Sequence, residues 1–344
     1  MAIDIEVAKK TQAKQSGFVR FVDDFALGAP TREDAERLRS ILRQIVHSFE
    51  LELNEEKTVV RSVVSLDYSS WRHEIRSFQP SISATKSKVE LFLDKIIEIS
   101  ATNAEANCLR YALKQSRAFF VGTQEWGLIE DFLLLSYRSN PTVLPTIVEI
   151  LVNRFREKAG DVDIDKVRSF IVASIPRLGE MEKHSEIAWL FFLALELSIK
   201  IPRNSLEIIF EQNNPVTALL ACHLWSRSLI DKPIDRSQWN QSLVDSGLQS
   251  EMWLYAYEAT LKGWTGLTAK KFITSSKEFA PLLAKKISFY DLDAHTETIA
   301  TSVKKDIASS KKIKKASNEY LDEIDFEFFY DPDDELDIDF GFGY

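Results

Sequence analysis

Glycine and proline are scarce in this chain, with 11 and 10 residues among 344. A doubly wound sheet or a barrel needs more turns than so few breakers supply, so the sequence favours a helical fold. Cysteine is scarcer still: Cys108 and Cys222 lie far apart, and neither belongs to a CxxC pair or a Cys/His metal-binding spacing. This pattern predicts two reduced thiols in a cytoplasmic protein and excludes a disulfide scaffold.

Long apolar runs are also lacking. No uninterrupted apolar stretch approaches the ~20 residues that cross a bilayer, and the first ten residues contain no signal-peptide core. We therefore expect a soluble protein with no membrane partner. Asp and Glu number 52 against 43 Lys and Arg, a net charge of −9. Such a chain does not attract nucleic acid through its overall field, so any nucleic-acid contact requires a local patch.

The residues that are present suffice for a packed core. Hydrophobic residues make up 45% of the chain and charged residues 28%, which excludes a collagen and a wholly disordered chain. At roughly 150 residues per domain, the length predicts about two domains. Composition divides the chain into a mixed zone at 1–80, a helical zone at 81–300 and a charged tail at 301–344.

The mixed zone begins with a strand pattern. The β-branched and aromatic run at 17–22 predicts a strand, and Phe25-Ala-Leu27 resumes it. Asp23 and Asp24 interrupt the run. The pattern predicts two strands joined by a tight acidic turn.

A helix and a short strand are predicted next. Thr31, with Asp34 three residues later, is typical of a helix N-cap. The helix carries one apolar stripe, formed by Leu38, Ile41, Leu42, Ile45, Val46 and Phe49. Leu51 and Leu53 alternate with polar residues, which predicts a further short strand.

The acidic turn is the one stretch with catalytic chemistry. Two adjacent carboxylates cannot both be buried unless their charge is neutralised. Mg²⁺ resolves the conflict because it takes oxygen ligands and keeps several waters. In phosphoryl transfer, two such ions lie ~3.5–4 Å apart and stabilise the attacking and leaving oxygens. A lone Asp-Asp pair is more often a solvated turn, so the specificity comes from its neighbours.

Those neighbours resemble the palm of a reverse transcriptase, an RNA-directed DNA polymerase. Phe21-Val-Asp23-Asp24 matches the aromatic-x-Asp-Asp turn of that family, and Arg20 precedes it as in many bacterial members. After the helix, Leu-x-Leu-Asn-x-x-Lys-Thr at 51–58 matches a second family segment. The resemblance covers residues 17–60 and predicts an α+β palm fragment.

The resemblance implies roles for individual residues. Asp23 corresponds to the catalytic ligand of the two Mg²⁺ ions, and Asp24 to its less essential partner. Phe21, with Arg20 before it, takes the place near the primer and nucleotide. Lys57 corresponds to a family lysine near the departing pyrophosphate, where a cation stabilises negative charge; a surface lysine following a strand is the alternative. RNA template and DNA product are the implied partners.

The chain also departs from the family. A working palm needs another aspartate on a neighbouring strand, together with fingers, and these precede the doublet by more than the 22 residues available. Asp4 lies too close in sequence to be assigned that role. We therefore expect the C-terminal portion of a polymerase, with an incomplete two-ion site and no activity by itself. A sister subunit or a missing N-terminal half would complete it.

The zone at 81–300 consists of helix after helix. Apolar residues recur at helical spacing over 89–99, 108–120, 128–137, 143–155, 167–175, 187–199, 205–210, 215–229 and 251–261. Stacked antiparallel pairs of this length are typical of a HEAT-like repeat, and an irregular bundle remains an alternative. A palm followed by such helices resembles the antiphage, abortive-infection type of reverse transcriptase. The fold expected overall is mostly α.

The tail combines lysines, acids and aromatics. A lysine-rich stretch at 304–315 precedes eleven Asp and Glu residues interleaved with aromatics over 319–344. Like-charge repulsion predicts a tail that is disordered when free. It serves either solubility or docking on a basic surface, its own or a partner's.

Two functions follow from these patterns. The first is the C-terminal part of a Mg²⁺-dependent RNA-directed DNA polymerase in antiphage defence. The second is a non-catalytic helical scaffold that retains a palm remnant and acts through protein association.

Overall fold

The computed structural model describes residues 2–12, 17–54, 58–60, 71–103, 107–264, 266–292 and 294–295. The chain divides into two compact units, one within Met1–Glu74 and one beginning at Ile75. The described residues contain sixteen α-helices and a single two-stranded sheet, so the expectation of a mostly α protein is confirmed. Among them, no helix has both the length and the apolar character needed to cross a bilayer.

The first unit combines a hairpin with two long helices. Its elements are α1 (Ala2–Gln12), β1 (Phe18–Phe21), β2 (Asp24–Leu27), α2 (Arg32–Ser48) and the start of α3 (Trp71–Phe78). The core of this unit is formed by Val7 of α1 and Leu42, Ile45 and Val46 of α2. Phe18, Phe25 and Leu27 pack against it from the hairpin. One face of the hairpin thus packs against the helices, and the other face is exposed.

The described residues of the second unit are mostly helical, with short connections and one isolated parallel bridge between Ile201 and Ile230. Its further helices are α4 (Lys86–Thr102), α5 (Cys108–Gln115), α6 (Arg117–Gly122), α7 (Trp126–Ser139), α8 (Leu144–Glu157), α9 (Ile164–Glu180), α10 (His184–Glu196), α11 (Glu207–Phe210), α12 (Pro215–Ser226), α13 (Ser237–Ser246), α14 (Trp253–Leu261), α15 (Leu267–Ser275) and α16 (Phe279–Ala284). Both cysteines, Cys108 and Cys222, are free and buried here.

Alternate helices of this unit form two rows. In what we call the central row, α8 packs on α10, α10 on α12 and α12 on α14. In the second row, α9 packs on α11, α11 on α13 and α13 on α15. The rows are joined by contacts between α9 and α10 and between α11 and α12. Because α12 lies inside this arrangement, every residue from 217 to 224 is buried.

Polar side chains mark where several helices begin. Asp163 Oδ1 accepts the Lys166 N–H at 3.0 Å at the start of α9. Asn214 Oδ1 accepts the Val216 and Thr217 N–H groups at 3.1 and 3.0 Å at the start of α12. Each cap supplies an acceptor to N–H groups that the first helical turn leaves unpaired.

Three local predictions were wrong. Residues 51–54 form no strand, and neither do 58–60. The described residues contain no neighbouring strand that pairs with them, and Leu53 packs against the core of the first unit. The single helix predicted at 108–120 is two helices, α5 and α6, which meet at Ser116. Helix α1 forms where no helix was predicted. The predicted disorder of the tail at 301–344 concerns residues outside the described ones.

Candidate functional site

Asp23 and Asp24 lie at the tip of the hairpin, as the strand pattern predicts. The strands are antiparallel, with Phe18 paired to Leu27 at one end and Phe21 paired to Asp24 at the other. Val22 and Asp23 form the two-residue turn between the strands. Both carboxylates are exposed. The doublet is therefore presented to solvent on a short sheet and does not belong to a helix or an isolated loop.

The turn contains an unusual backbone conformation. Val22 has φ of 51°, in the left-handed region that β-branched residues rarely adopt. Such a residue costs about 1–3 kcal/mol and persists only when its surroundings hold it. Here the Arg20 Nε donates to the Val22 carbonyl oxygen at 2.6 Å, and this hydrogen bond stabilises the backbone of the turn. The tip is thus held in a strained shape next to the two acids.

Arg20 joins the hairpin to the first helix. Its Nη1 donates to Asp4 Oδ1 of α1 at 3.1 Å, and its guanidinium lies 5.0 Å from the centre of the Phe25 ring. The hydrogen bond from Arg20 is the main cause that lowers the pKa of Asp4 below its usual value. Asp4 is therefore the ion-pair partner of Arg20. Sequence reasoning missed this contact because nothing in the local pattern indicates that α1 reaches the hairpin.

The two faces of the hairpin differ in exposure. Phe25 and Leu27 of β2 are partly buried against the core, while Asp24 and Ala26 alternate with them and are exposed. On β1, Val19 is 56% exposed. The second carboxylate thus lies on the same open face as small and apolar side chains, where a phosphate or an added polypeptide segment has access to it.

The other predicted site residues are only partly described. Phe21 ends β1, and its side chain lies outside the described residues; Lys57 lies outside them altogether. At the edges of the Lys57 segment, the Thr58 N–H and hydroxyl both donate to the Asn54 carbonyl oxygen, at 2.9 and 2.7 Å. The proximity of Lys57 to the doublet stays a prediction.

The acids fit a cation held largely by water and phosphate. In the described part of the chain, the Asp23 and Asp24 side chains make no hydrogen bond or ion pair, so their carboxylate oxygens are available. Mg²⁺ is commonly bound by one or two carboxylates together with substrate phosphates and water. Across the described ranges, no three His, Cys, Asp or Glu side chains gather into a metal-binding group. Asp23 and Asp24 could therefore supply part of the ligands of a divalent cation, with phosphate and water supplying the rest.

Comparison of the chain with models of protein families, with curated proteins and with solved structures finds no match.

Proposed function

We propose that this chain is the C-terminal part of an RNA-directed DNA polymerase, acting in the cytoplasm in antiphage defence. The observation that supports the proposal is the hairpin: Asp23 and Asp24 lie exposed at a tip that Arg20 braces, and the amphipathic helix α2 follows. The resemblance to a reverse transcriptase palm predicts that the two acids lie on a β-hairpin, and carboxylates on a helix or an isolated loop would not match it.

In this proposal the acids position phosphates through divalent ions. Mg²⁺ would supply charge neutralisation at the attacking and leaving oxygens. Asp23 at the turn would hold it, with Asp24 on the neighbouring strand as the second ligand. Because the Arg20 hydrogen bond fixes the Val22 carbonyl, the turn keeps its shape when phosphate binds. Lys57 would offset negative charge on the departing pyrophosphate, and Phe21 would face the primer end.

The helical unit takes the role of a HEAT-like array in this proposal. The proposal is supported by the two rows, in each of which a helix packs on the helix two positions later in the chain. The candidate repeats are the pairs α9 with α10 and α11 with α12. Such arrays present long surfaces because each repeat contacts only its neighbours. We assign to this surface the guidance of template, product or a sister subunit.

The test is nucleotide incorporation by the tagged full chain, isolated from its own host with any subunit that accompanies it. A primed RNA template and Mg²⁺ are supplied, and the Asp23→Asn variant is compared with Asp165→Asn, an equally exposed acid on α9. We expect incorporation by the wild type and by Asp165→Asn, and at least about a hundredfold loss in Asp23→Asn, because a ligand of the reacting phosphates is removed.

A protein scaffold is the second candidate function. Asp4 is engaged in an ion pair with Arg20, so it does not add a third carboxylate to Asp23 and Asp24, and this favours a scaffold. The large share of the described chain that is helical also favours it. Failure of the wild-type assembly to incorporate nucleotide, or equal incorporation by Asp23→Asn, would overturn the polymerase proposal. The first of these results favours the scaffold.

A further inference from the structure

After α16 the chain returns across the central row of helices. We call residues 287–292 the strap. The Tyr257 hydroxyl of α14 donates to the Ile287 carbonyl oxygen at 2.5 Å. Further along, the Tyr290 hydroxyl lies 2.8 Å from His223 Nδ1 of α12. The strap therefore passes from α14 to α12, with a bend at residues 289 and 290.

The same course continues to α10. His295 Nδ1 lies 2.6 Å from a Glu196 carboxylate oxygen, and the other oxygen of Glu196 accepts from Arg156 Nη2 of α8, also at 2.6 Å. His295 thus contacts Glu196 of α10, the third helix of the central row counted from α14. Glu196 in turn contacts α8, the fourth helix.

A buried carboxylate of α14 depends on the strap. Glu258 has no exposed side-chain surface. It accepts from Lys262 Nζ at 2.7 Å, from the Ser288 hydroxyl at 3.0 Å and from the Phe289 N–H. Without the strap, Glu258 loses two of these three donors and keeps the Lys262 ammonium. An occupant of the surface that offers a backbone N–H restores one of the lost donors.

Two aromatic rings of the strap fill the surface. The Phe289 ring centre lies 5.3 Å from that of Tyr257 and 6.0 Å from that of Trp253. Lys262 Nζ lies 5.6 Å from the centre of the Tyr290 ring. Phe289 is 54% exposed, so its ring is only partly covered by these contacts. We call the surface the strap groove, lined by His223, Trp253, Tyr257, Glu258, Lys262 and Trp264.

The sequence seated in the groove occurs again in the tail. Phe-Tyr-Asp-x-Asp stands at 289–293 and a second time at 329–333. The second copy can reproduce the backbone N–H to Glu258, the ring against Trp253 and the hydroxyl to His223. It differs one residue earlier, where Phe328 replaces Ser288 and removes the hydroxyl donor. The tail copy therefore matches most of the contacts that hold the strap.

The tail is long enough to reach this groove in its own chain. Position 329 lies 34 positions after position 295, and a chain of that length can reach at most about 110 Å when fully extended. The distance from α10 to α14 in the row is about 20 Å, at 8–10 Å per packed helix pair. A segment of the same chain competes with a free peptide intramolecularly.

We propose that the strap groove is a peptide-binding site with two intramolecular ligands, the strap and the tail segment 329–333, which exchange in it. Binding of the tail segment displaces Phe289 and Tyr290 from Trp253, Tyr257 and His223. The acidic-aromatic tail then has a defined receptor on its own chain.

The test uses a fluorescein-labelled peptide of residues 325–336 and the full chain. Apparent affinity is measured by anisotropy for the wild type, for the double variant Phe329→Ala/Tyr330→Ala, and for the matched control Phe340→Ala/Phe342→Ala. We expect about twofold tightening in the Phe329→Ala/Tyr330→Ala variant, because one of the two tethered competitors is lost while the strap remains. The control variant should bind as the wild type does, and a peptide of residues 337–344 should not bind.

Adding Trp253→Ala to the variant that lacks Phe329 and Tyr330 should abolish peptide binding. Equal affinity in the two double variants, binding that survives Trp253→Ala, or no binding at all would overturn the proposal. Hydrogen exchange gives a second measurement that needs no change in the helical core. The Phe289 amide should exchange more slowly in Phe329→Ala/Tyr330→Ala than in the wild type, and an unchanged rate contradicts exchange of the two segments.

Discussion

At the scale of single residues, the hairpin tip stores backbone strain beside two charges. Val22 is held at positive φ by the Arg20 side chain, and the adjoining carboxylates remain exposed. Strained turns of this kind cluster at functional sites, where the shape of the backbone fixes the direction of side chains. The strain and the acids together make the tip the leading candidate site of the first unit.

Replacing Val22 with asparagine should relieve this strain. Asparagine tolerates the left-handed region, so Val22→Asn should stabilise the hairpin by about 1 kcal/mol. Hydrogen exchange of the hairpin amides should slow accordingly. Val19→Asn, at an exposed position of β1 with ordinary φ, is the control and should give no slowing. Faster exchange in Val22→Asn would show that the valine is not strained.

A glycine in the second unit allows two helices to approach closely. A Cβ at Gly179 of α9 would lie 2.5 Å from Ile208 Cγ2 of α11. Gly179→Ala should therefore destabilise the protein by about 1–3 kcal/mol through overpacking. Gly127→Ala in α7 is the control, since nothing lies within 4 Å of its added Cβ. Calorimetry should show a lower melting temperature only for the first variant.

At the scale of elements, the boundaries that the sequence predicts best are those with a side-chain cap. Thr31 caps α2 as its spacing to Asp34 predicts, with its Oγ1 accepting the Asp34 N–H at 3.1 Å. Helix α13, in contrast, is largely polar in sequence and was not predicted. Its Trp239 is fully buried by contacts with distant residues, which local periodicity does not reveal.

Loss of the Thr31 cap should weaken the start of α2. Thr31→Ala should cost about 1 kcal/mol, because the Asp34 N–H loses its acceptor. Thr85→Ala, at the start of α4, is a matched control since the Thr85 side chain makes no capping hydrogen bond. Amide exchange in the first turn of α2 should accelerate in Thr31→Ala. The same acceleration in the first turn of α4 upon Thr85→Ala would contradict the capping explanation.

The attachment of the strap to α12 should depend on pH. Burial, with the positive charges of Arg227 and Lys262, lowers the pKa of His223 to about 4. The unfolded chain, with a histidine pKa near 6.5, binds more protons between those values. The free energy of unfolding should therefore fall as pH decreases from about 6.5 to about 4, with no contribution from His223 above that window.

Denaturant unfolding at pH 7 and pH 4.5 measures this effect. His223→Gln removes the titrating group and can still accept a hydrogen bond from the Tyr290 hydroxyl, so its stability should fall less between the two pH values. An equal loss in wild type and variant would assign the pH dependence to other groups.

At the scale of the whole molecule, local patterns predicted the helical character and the hairpin but not the long-range contacts. The alternation around Asp23 and Asp24 is a local signal, and the hairpin followed it. Leu51 and Leu53 gave a similar signal, yet no strand forms at 51–54, because strand formation needs a partner that the local sequence does not specify. The strap also depends on contacts between residues far apart, such as His223 and Tyr290.

The binding of a divalent cation at the hairpin tip is the central claim, and Mn²⁺ titration of the isotope-labelled full chain tests it most directly. The paramagnetic ion should selectively broaden the amide signals of Val22, Asp23, Asp24 and Phe25, and Mg²⁺ in excess should restore them. Asp23→Asn/Asp24→Asn should abolish this broadening, whereas Asp165→Asn should leave it unchanged. Broadening that is absent at the tip, or that persists in the double variant, would contradict the account.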